Sequence, residues 1–149
     1  MSPRSYAIVR AEGAPLKITP TLLTSIHRHL EAGYPHEACG VMLGQDETVT
    51  EIIPALNHQT DRPANRYLID PREYDRIERD ADQRGLQVAG IYHSHPDAPP
   101  QPSAFDLEHA WPYLSYLIVS VVAGRAGETQ CWRLREQPRQ FDPEPICSP

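Results

Sequence analysis

The residues His-Ser-His-Pro at positions 93–96 constrain this chain more than any other segment. The run that precedes them, residues 86–92, is apolar and typical of a buried strand, in which side chains two positions apart point to the same face. His93 and His95 therefore share one face of the predicted strand. Pro96 cannot donate a hydrogen bond to a sheet ladder, so we expect the strand to end there.

A short helix is predicted to follow this strand and to return a carboxylate to the two imidazoles. Ser103 has the character of a helix N-cap, and Asp106 lies three positions further on, in the first turn. Two imidazoles and one carboxylate suit Zn²⁺, and three protein ligands leave a fourth tetrahedral position for water. The sequence therefore predicts a catalytic zinc site with His93, His95 and Asp106 as ligands.

A zinc hydrolase also needs a side chain that takes a proton from water and passes it to the leaving group. Glu37 is the candidate in this sequence. It lies two residues before a predicted strand, residues 39–43, which could pair beside the histidine strand. We therefore predict Glu37 as the general acid/base.

These residues resemble the signature of the JAMM (MPN+) metalloprotease family, a glutamate upstream of H-x-H-P-x(6)-S-x-x-D. Every element of the motif is present, and the similar segment runs from about Leu16 to Leu134. The resemblance implies a zinc hydrolase that cleaves peptide or isopeptide bonds at the C-terminus of ubiquitin-like proteins. It also implies that Glu37 activates a zinc-bound water and that Ser103 helps to hold the tetrahedral oxyanion.

The fold that the resemblance implies is α/β, a mixed β-sheet flanked by helices in an α/β/α arrangement, the cytidine-deaminase-like MPN domain. The sequence patterns agree with it. Helices are predicted from Thr19-Pro20 to Gly33 and from Asp70-Pro71 to just before Gly85. The other predicted strands are Thr48–Leu56, Arg66–Ile69, Leu114–Val122 and Glu128–Leu134.

The length of 149 residues predicts one domain. We assign residues 1–136 to it and residues 137–149 to a proline-rich C-terminal tail, which lies over the domain or stays loose. Three widely spaced cysteines do not indicate a disulfide framework, and no signal peptide or membrane span is expected, so the cytoplasm is the expected location. The net charge of -6 argues against a nucleic-acid partner.

The sequence also allows three alternative interpretations of these residues. Cys39 could be a nucleophile with His36 or His93 as its base, but a cysteine at a strand start is more often a small buried hydrophobe. Zinc deaminases need H-x-E followed by P-C-x-x-C, but this sequence has His-Ser-His at positions 93–95 and no C-x-x-C, so the thiolate ligands are absent. Ser103 could act as an N-cap alone, although that role is compatible with catalysis.

The predicted partner is a ubiquitin-fold or sulfur-carrier protein with a diglycine C-terminus. The chain has no room for large substrate-clamping insertions, so it resembles the compact family members that work in bacterial and archaeal sulfur-carrier pathways. The alternatives are removal of a ubiquitin-like modifier from lysine, a cell-wall or phage-tail peptidase, and a module that binds ubiquitin-like tails without cutting them.

Overall fold

The computed structural model describes residues 13–46, 48–59 and 66–149. The helices and strands follow the chain as β1 (Leu16–Lys17), α1 (Pro20–Gly33), β2 (Cys39–Gln45), β3 (Thr48–Ala55), α2 (Pro71–Gln83), β4 (Gln87–Pro96), α3 (Ala104–His109), β5 (Ser115–Val122), β6 (Arg125–Glu136), β7 (Arg139–Glu144) and β8 (Ile146–Cys147). The strands form one sheet in the order β7-β6-β5-β4-β2-β3-β1-β8. Because β4 pairs in parallel with β5 and antiparallel with β2, the predicted mixed sheet is confirmed.

Helix α1 covers one face of the sheet. Thr19 caps it, with Oγ1 accepting a hydrogen bond from Leu22 N at 3.2 Å, and Pro20 occupies the first turn. Its buried Ile26 and Leu30 belong to a core that also contains Met42 from the sheet. The predicted first helix and its apolar stripe are therefore confirmed.

Helices α2 and α3 lie on the opposite side. A second core packs Tyr74 and Ala81 of α2 against Val41 and Ile91 of the sheet, together with Ala110 at the end of α3. The two helical layers bury both faces of the central strands, which explains their continuous apolar runs. The α/β/α arrangement follows directly.

A β-bulge in β4 decides which face the two histidines occupy. Met42 pairs with Gly90, but the next residue, Leu43, pairs with Val88, so Ala89 is the extra residue on β4. Side chains alternate along a strand, and one extra residue exchanges the faces for everything that follows. Val88 contacts the α2 side of the core and Ala89 the α1 side, whereas Ile91 is again on the α2 side. Because of the bulge, the odd-numbered residues after it, the histidines included, face α2 and α3.

Residues 66–69 are not in a strand, so the predicted third strand is wrong. Their backbone groups form hydrogen bonds with a loop residue and not with a neighbouring strand. Arg66 O accepts from Asn57 Nδ2 at 3.0 Å, and Leu68 N donates to Asn57 Oδ1 at 3.1 Å. Leu68 O accepts from His58 N at 2.6 Å. The Asn57 side-chain amide therefore supplies the hydrogen-bond partners that a neighbouring strand would otherwise supply.

Strands β1, β7 and β8 were not predicted from the sequence. Residues 139–147, assigned to the tail, instead extend the sheet at both of its edges. β7 pairs with β6 from Glu136 back to Cys131, because β6 is long and offers an unpaired edge. Pro143 is tolerated in β7 because that strand lies at the edge. β6 starts at Arg125, earlier than predicted, and its hairpin with β5 is confirmed.

Within the described ranges, no helix has both the length and the apolar character that crossing a bilayer would require.

Candidate metal centre

Four buried side chains from separate parts of the chain meet at one end of β4. They are Glu37, which precedes β2, His93 and His95 on β4, and Asp106 on α3. One potential ligand atom from each lies within 4.8 Å of the other three. The structure therefore brings together the general acid/base and all three metal ligands that the sequence suggested.

Glu37 reaches the histidines because β2 and β4 are neighbours. Cys39 pairs with His93 in the antiparallel ladder, which sets the residues before β2 beside the end of β4. Beyond the ladder, Ser94 N donates to Ala38 O at 3.0 Å. The position of Glu37 is thus determined by sheet register.

The capping box of α3 delivers the carboxylate. Asp106 N donates to Ser103 Oγ at 3.0 Å, and Ser103 N donates to Asp106 Oδ2 at 2.9 Å. The same Oδ2 lies 3.1 Å from His95 Nε2 and 3.4 Å from His93 Nε2. Ser103 and Asp106 therefore cap the helix and border the site at the same time. Since the cap uses a lone pair of Ser103 Oγ, the hydroxyl proton remains for another acceptor.

The hydrogen-bonding roles of His95 indicate that a cation belongs at this site. Its Nδ1 lies 2.9 Å from Pro99 O, and a carbonyl can only accept, so Nδ1 carries the proton. In the neutral ring, Nε2 then directs a lone pair at Asp106 Oδ2, and His93 Nε2 is 3.2 Å away. Electron-rich atoms at such distances require a proton or a metal ion between them.

The spacing of the three ligand atoms fits zinc. A tetrahedron with metal–ligand bonds of about 2.0–2.1 Å has edges of about 3.3–3.4 Å. The three edges here, between His93 Nε2, His95 Nε2 and Asp106 Oδ2, measure 3.1, 3.2 and 3.4 Å. The donor set of two imidazoles and one carboxylate is also one that zinc accepts in catalytic sites. The residues present therefore fit the ion that the motif predicts.

The surroundings shift the pKa values of the two carboxyl groups, Glu37 and Asp106, in opposite directions. Burial raises the pKa of Glu37 to about 8, with Asp106 adding to the shift and His95 opposing it. Burial also acts to raise the pKa of Asp106, but His93, His95 and the Ser103 amide outweigh it and hold this pKa well below its usual range. One carboxyl group is therefore suited to proton transfer and the other to holding a cation.

Glu37 has a carboxyl oxygen that could accept a further hydrogen bond. Its Oε1 is buried and has no hydrogen-bond partner in the described part of the protein. An unsatisfied buried carboxyl oxygen costs free energy unless something donates to it. A water molecule between Glu37 and the three ligand atoms would satisfy it.

Cys39 does not have the properties of a nucleophile. It is fully buried, and its thiol lies 4.0 Å from Ala55 O and 3.8 Å from Leu56 O. Burial raises the pKa of this thiol to about 12, with Glu73 and Glu37 adding to the shift. A thiol in such surroundings stays protonated near neutral pH, which disfavours the cysteine-hydrolase alternative.

Two residues near the centre were missed by the sequence analysis. The ring of Tyr67 stacks on His93, with centroids 4.3 Å apart, and Asn57 Nδ2 donates to Glu37 O at 3.0 Å. Tyr67 was assigned to a strand that does not exist. An asparagine directly after a predicted strand was the available signal, because its amide often bonds nearby backbone in loops.

The comparisons with known proteins agree with this geometry. A family model described as prokaryotic homologues of the JAB domain matches residues 19–135. A desampylase from Haloferax volcanii is 42% identical over 89 residues, which are 58% of this chain and 63% of the relative, less than two thirds of its length. A desampylase from Pyrococcus furiosus is 31% identical over 103 residues, covering 68% of this chain and 69% of the relative.

A further relative covers more of the chain. A probable TtuB-protein conjugate cleaving protease from Thermus thermophilus is 32% identical over 136 residues, covering 85% of this chain and 90% of the relative.

Solved structures share the fold. A protein from Salinibacter ruber is 37% identical with a TM-score of 0.70, covering 89% of this chain and 91% of that one. A JAB1/MPN domain protein from Archaeoglobus fulgidus has a TM-score of 0.57 at 18% identity, covering 90% of this chain and 99% of that one, which supports the fold alone. The match over residues 19–135 and the four converging side chains lead to one conclusion. This chain belongs to the family of prokaryotic homologues of the JAB domain, the compact prokaryotic JAMM type.

Proposed function

We propose that this protein is a zinc-dependent peptidase or isopeptidase that cleaves conjugates of a ubiquitin-like or sulfur-carrier protein after a C-terminal diglycine. One observation carries the chemistry: three ligand atoms lie at tetrahedral spacing beside a buried Glu37 oxygen that has no partner in the described chain. The substrate class is supported by the relatives named desampylase and TtuB-protein conjugate cleaving protease.

In this proposal His93, His95 and Asp106 hold the zinc ion. When bound, zinc supplies Lewis acidity, which polarises the scissile carbonyl and makes a nearby water easier to deprotonate. The protein holds His95 in the tautomer that leaves Nε2 free, through the bond to Pro99 O. It also keeps Asp106 ionised through the pKa shift described above.

Glu37 transfers the proton. Its carboxylate takes a proton from the attacking water and then delivers it to the nitrogen of the leaving amine. Burial raises the pKa of Glu37 to about 8, and a value this close to neutral pH suits both steps, because the group must gain and lose a proton in each cycle. Ser103 donates its remaining hydroxyl proton to the oxyanion that develops on the substrate carbonyl.

The preference for a diglycine is inferred from the small size of glycine. Glycine has no Cβ, so a Gly-Gly tail can lie extended in a narrow channel and bond its backbone to neighbouring protein groups. A cavity of about 360 Å³ is lined in part by Trp111 and by Tyr67, whose ring stacks on His93. This mostly apolar cavity has room for an apolar side chain upstream of the diglycine.

The test is cleavage of defined conjugates, followed by mass spectrometry. A folded ubiquitin-like carrier is joined through Gly-Gly to the α-amine of an amino acid or to the ε-amine of a lysine, and a Gly-Ala version is the matched control. We expect cleavage directly after Gly-Gly, loss of activity with a chelator, recovery with Zn²⁺, and much slower cleavage after Gly-Ala. Equal rates on the two tails would contradict the narrow channel.

The same assay separates the alternatives. Faster cleavage of the ε-linked conjugate would indicate removal of a modifier from lysine, and faster cleavage of the α-linked one would indicate processing of a carrier adduct. Binding of the carrier by the zinc-loaded protein without any cleavage would indicate a binding module and would overturn the enzymatic proposal.

A further inference from the structure

The two histidines of the centre are held differently. His95 donates from Nδ1 to Pro99 O, which fixes both its tautomer and the rotation of its ring. His93 Nδ1 is buried and has no hydrogen-bond partner among the residues that the structure describes. Metal-binding histidines almost always donate their other ring N–H to a protein group or water, because that bond orients the ring. Among the described residues, a contact other than an Nδ1 hydrogen bond must therefore orient His93.

Tyr67 occupies the face of the His93 ring. The two ring centroids are 4.3 Å apart and the planes are inclined by 25°, which is a stacked arrangement. His93 is completely buried, so its ring cannot rotate about the Cβ–Cγ bond without displacing the tyrosine. A flat neighbour at this distance restrains the same rotation that an Nδ1 hydrogen bond would restrain.

An asparagine holds the backbone on either side of Tyr67. Asn57 Nδ2 donates to Arg66 O at 3.0 Å and Asn57 Oδ1 accepts from Leu68 N at 3.1 Å, so the amide holds the backbone on both sides of the tyrosine. The second Nδ2 proton goes to Glu37 O at 3.0 Å. The other Oδ1 lone pair accepts from Gln59 N at 3.0 Å. All four hydrogen-bonding positions of this amide are used.

A second contact holds the same segment from the other side. The guanidinium of Arg66 lies over the ring of Phe105 on α3, 5.0 Å from its centroid. The segment that carries Tyr67 therefore bridges the backbone of Glu37 and the helix that carries Asp106.

We propose that Tyr67 and Asn57 are positioning residues of the metal centre. Tyr67 orients His93, whose Nδ1 has no hydrogen bond from the described residues, and Asn57 fixes Tyr67 and the backbone of Glu37 in one rigid unit. This inference rests on the proposed function, because it assumes that His93 binds the metal. It explains why a loop segment with no regular ladder is packed directly against a ligand.

The first test measures metal affinity and ligand geometry, not turnover. Zinc dissociation constants and the visible spectrum of the Co²⁺-substituted protein are recorded for Tyr67→Leu and Tyr67→Phe. The phenylalanine keeps the stacked ring, so it should retain both properties. The leucine should lose on the order of 10- to 100-fold in zinc affinity and change the Co²⁺ spectrum, as expected when a group that orients a ligand is removed.

Tyr74→Leu is the matched control. Tyr74 is a tyrosine that is more deeply buried than Tyr67, but its ring packs on Trp111 and not on a metal ligand. This variant should lower the melting temperature while leaving zinc affinity unchanged. An equal loss of affinity in Tyr74→Leu, or unchanged affinity and spectrum in Tyr67→Leu, would overturn the positioning role. Absence of zinc binding by the unmodified protein would instead overturn the metal centre itself and, with it, the proposed function.

The second test asks whether Asn57 acts through Tyr67. Asn57→Ala should lower zinc affinity, and the Asn57→Ala/Tyr67→Leu double variant should bind zinc no more weakly than Tyr67→Leu alone, because both changes release the same ring. At saturating zinc, Asn57→Ala should also lower kcat with little change in KM, since the Glu37 backbone loses its anchor. Additive losses of zinc affinity in the double variant would show that Asn57 acts independently of Tyr67 and would overturn the rigid unit.

Discussion

Ser94 Oγ accepts a hydrogen bond from Ala38 N at 2.9 Å, while Ser94 N donates to Ala38 O at 3.0 Å. Ser94 lies between the two histidines and points to the opposite face of β4. This reciprocal pair joins the strand that carries His93 and His95 to the segment that carries Glu37. The distance between Glu37 and the two histidines is therefore maintained by a residue that is not itself one of the four clustered side chains.

Ser94→Ala should destabilise the fold and reduce turnover while keeping zinc. The substitution leaves the partly buried amide of Ala38 without its partner, which costs about 1–3 kcal/mol. Urea denaturation measures the loss and metal analysis measures zinc. Ser25→Ala is the control, because Ser25 Oγ makes an exposed bond to Thr21 O within α1. If the Ser94→Ala protein is as stable and as active as the unmodified one, the hydrogen bonds between Ser94 and Ala38 do not maintain the site.

Glu37→Gln should keep about one zinc per chain and lose on the order of a hundredfold or more in turnover. Glutamine preserves the size of the side chain but cannot carry the proton between water and leaving amine. Metal analysis and steady-state kinetics on the same preparation separate binding from catalysis. Loss of zinc in this variant would make Glu37 a ligand, and unchanged turnover would remove it from the mechanism.

Asp106→Asn should separate the capping role from ligation. The amide oxygen can still accept from Ser103 N, so α3 should remain folded, but the loss of the negative charge should weaken zinc binding strongly. Zinc affinity and circular dichroism measure the two effects. His93→Ala should release zinc by removing a ligand outright. Full zinc occupancy in both variants would contradict the ligand assignment.

Ser103→Ala should lower turnover with little change in zinc content or in carrier binding. It also removes the N-cap of α3, which costs about 1 kcal/mol, so Ser103→Thr is the control because threonine keeps both the cap and a hydroxyl. If the alanine variant loses stability but no turnover, Ser103 is a cap alone.

Cys39→Ser should retain most activity, because the thiol is buried and its pKa is raised to about 12. Serine is close in size, and the neighbouring carbonyl oxygens of Ala55 and Leu56 can accept its proton. Kinetics with matched zinc content provide the measurement. A variant that is loaded with zinc but inactive would revive the cysteine mechanism.

Much of the site could be predicted from the sequence because its determinants are local. The alternation of His93 and His95 depends only on strand geometry, and the box formed by Ser103 and Asp106 needs only the first turn of a helix. The N-caps Thr19 and Asp70 likewise act within two or three residues of themselves. Such features depend on neighbouring residues and not on how distant parts of the chain pack.

Other features were decided only by tertiary structure. The bulge at Ala89 sets which face the histidines occupy, and it exists only in relation to the register of β2. The segment from Arg66 to Ile69 has the composition of a strand, but its backbone forms hydrogen bonds with the Asn57 side chain. The ring of Tyr67 in this segment stacks on His93. Strand pairing and ring stacking join residues far apart in sequence, so their energies depend on neighbours that no local pattern specifies. Short-range hydrogen bonds and side-chain alternation are encoded in adjacent residues, whereas the choice among possible long-range partners is made when the whole sheet packs.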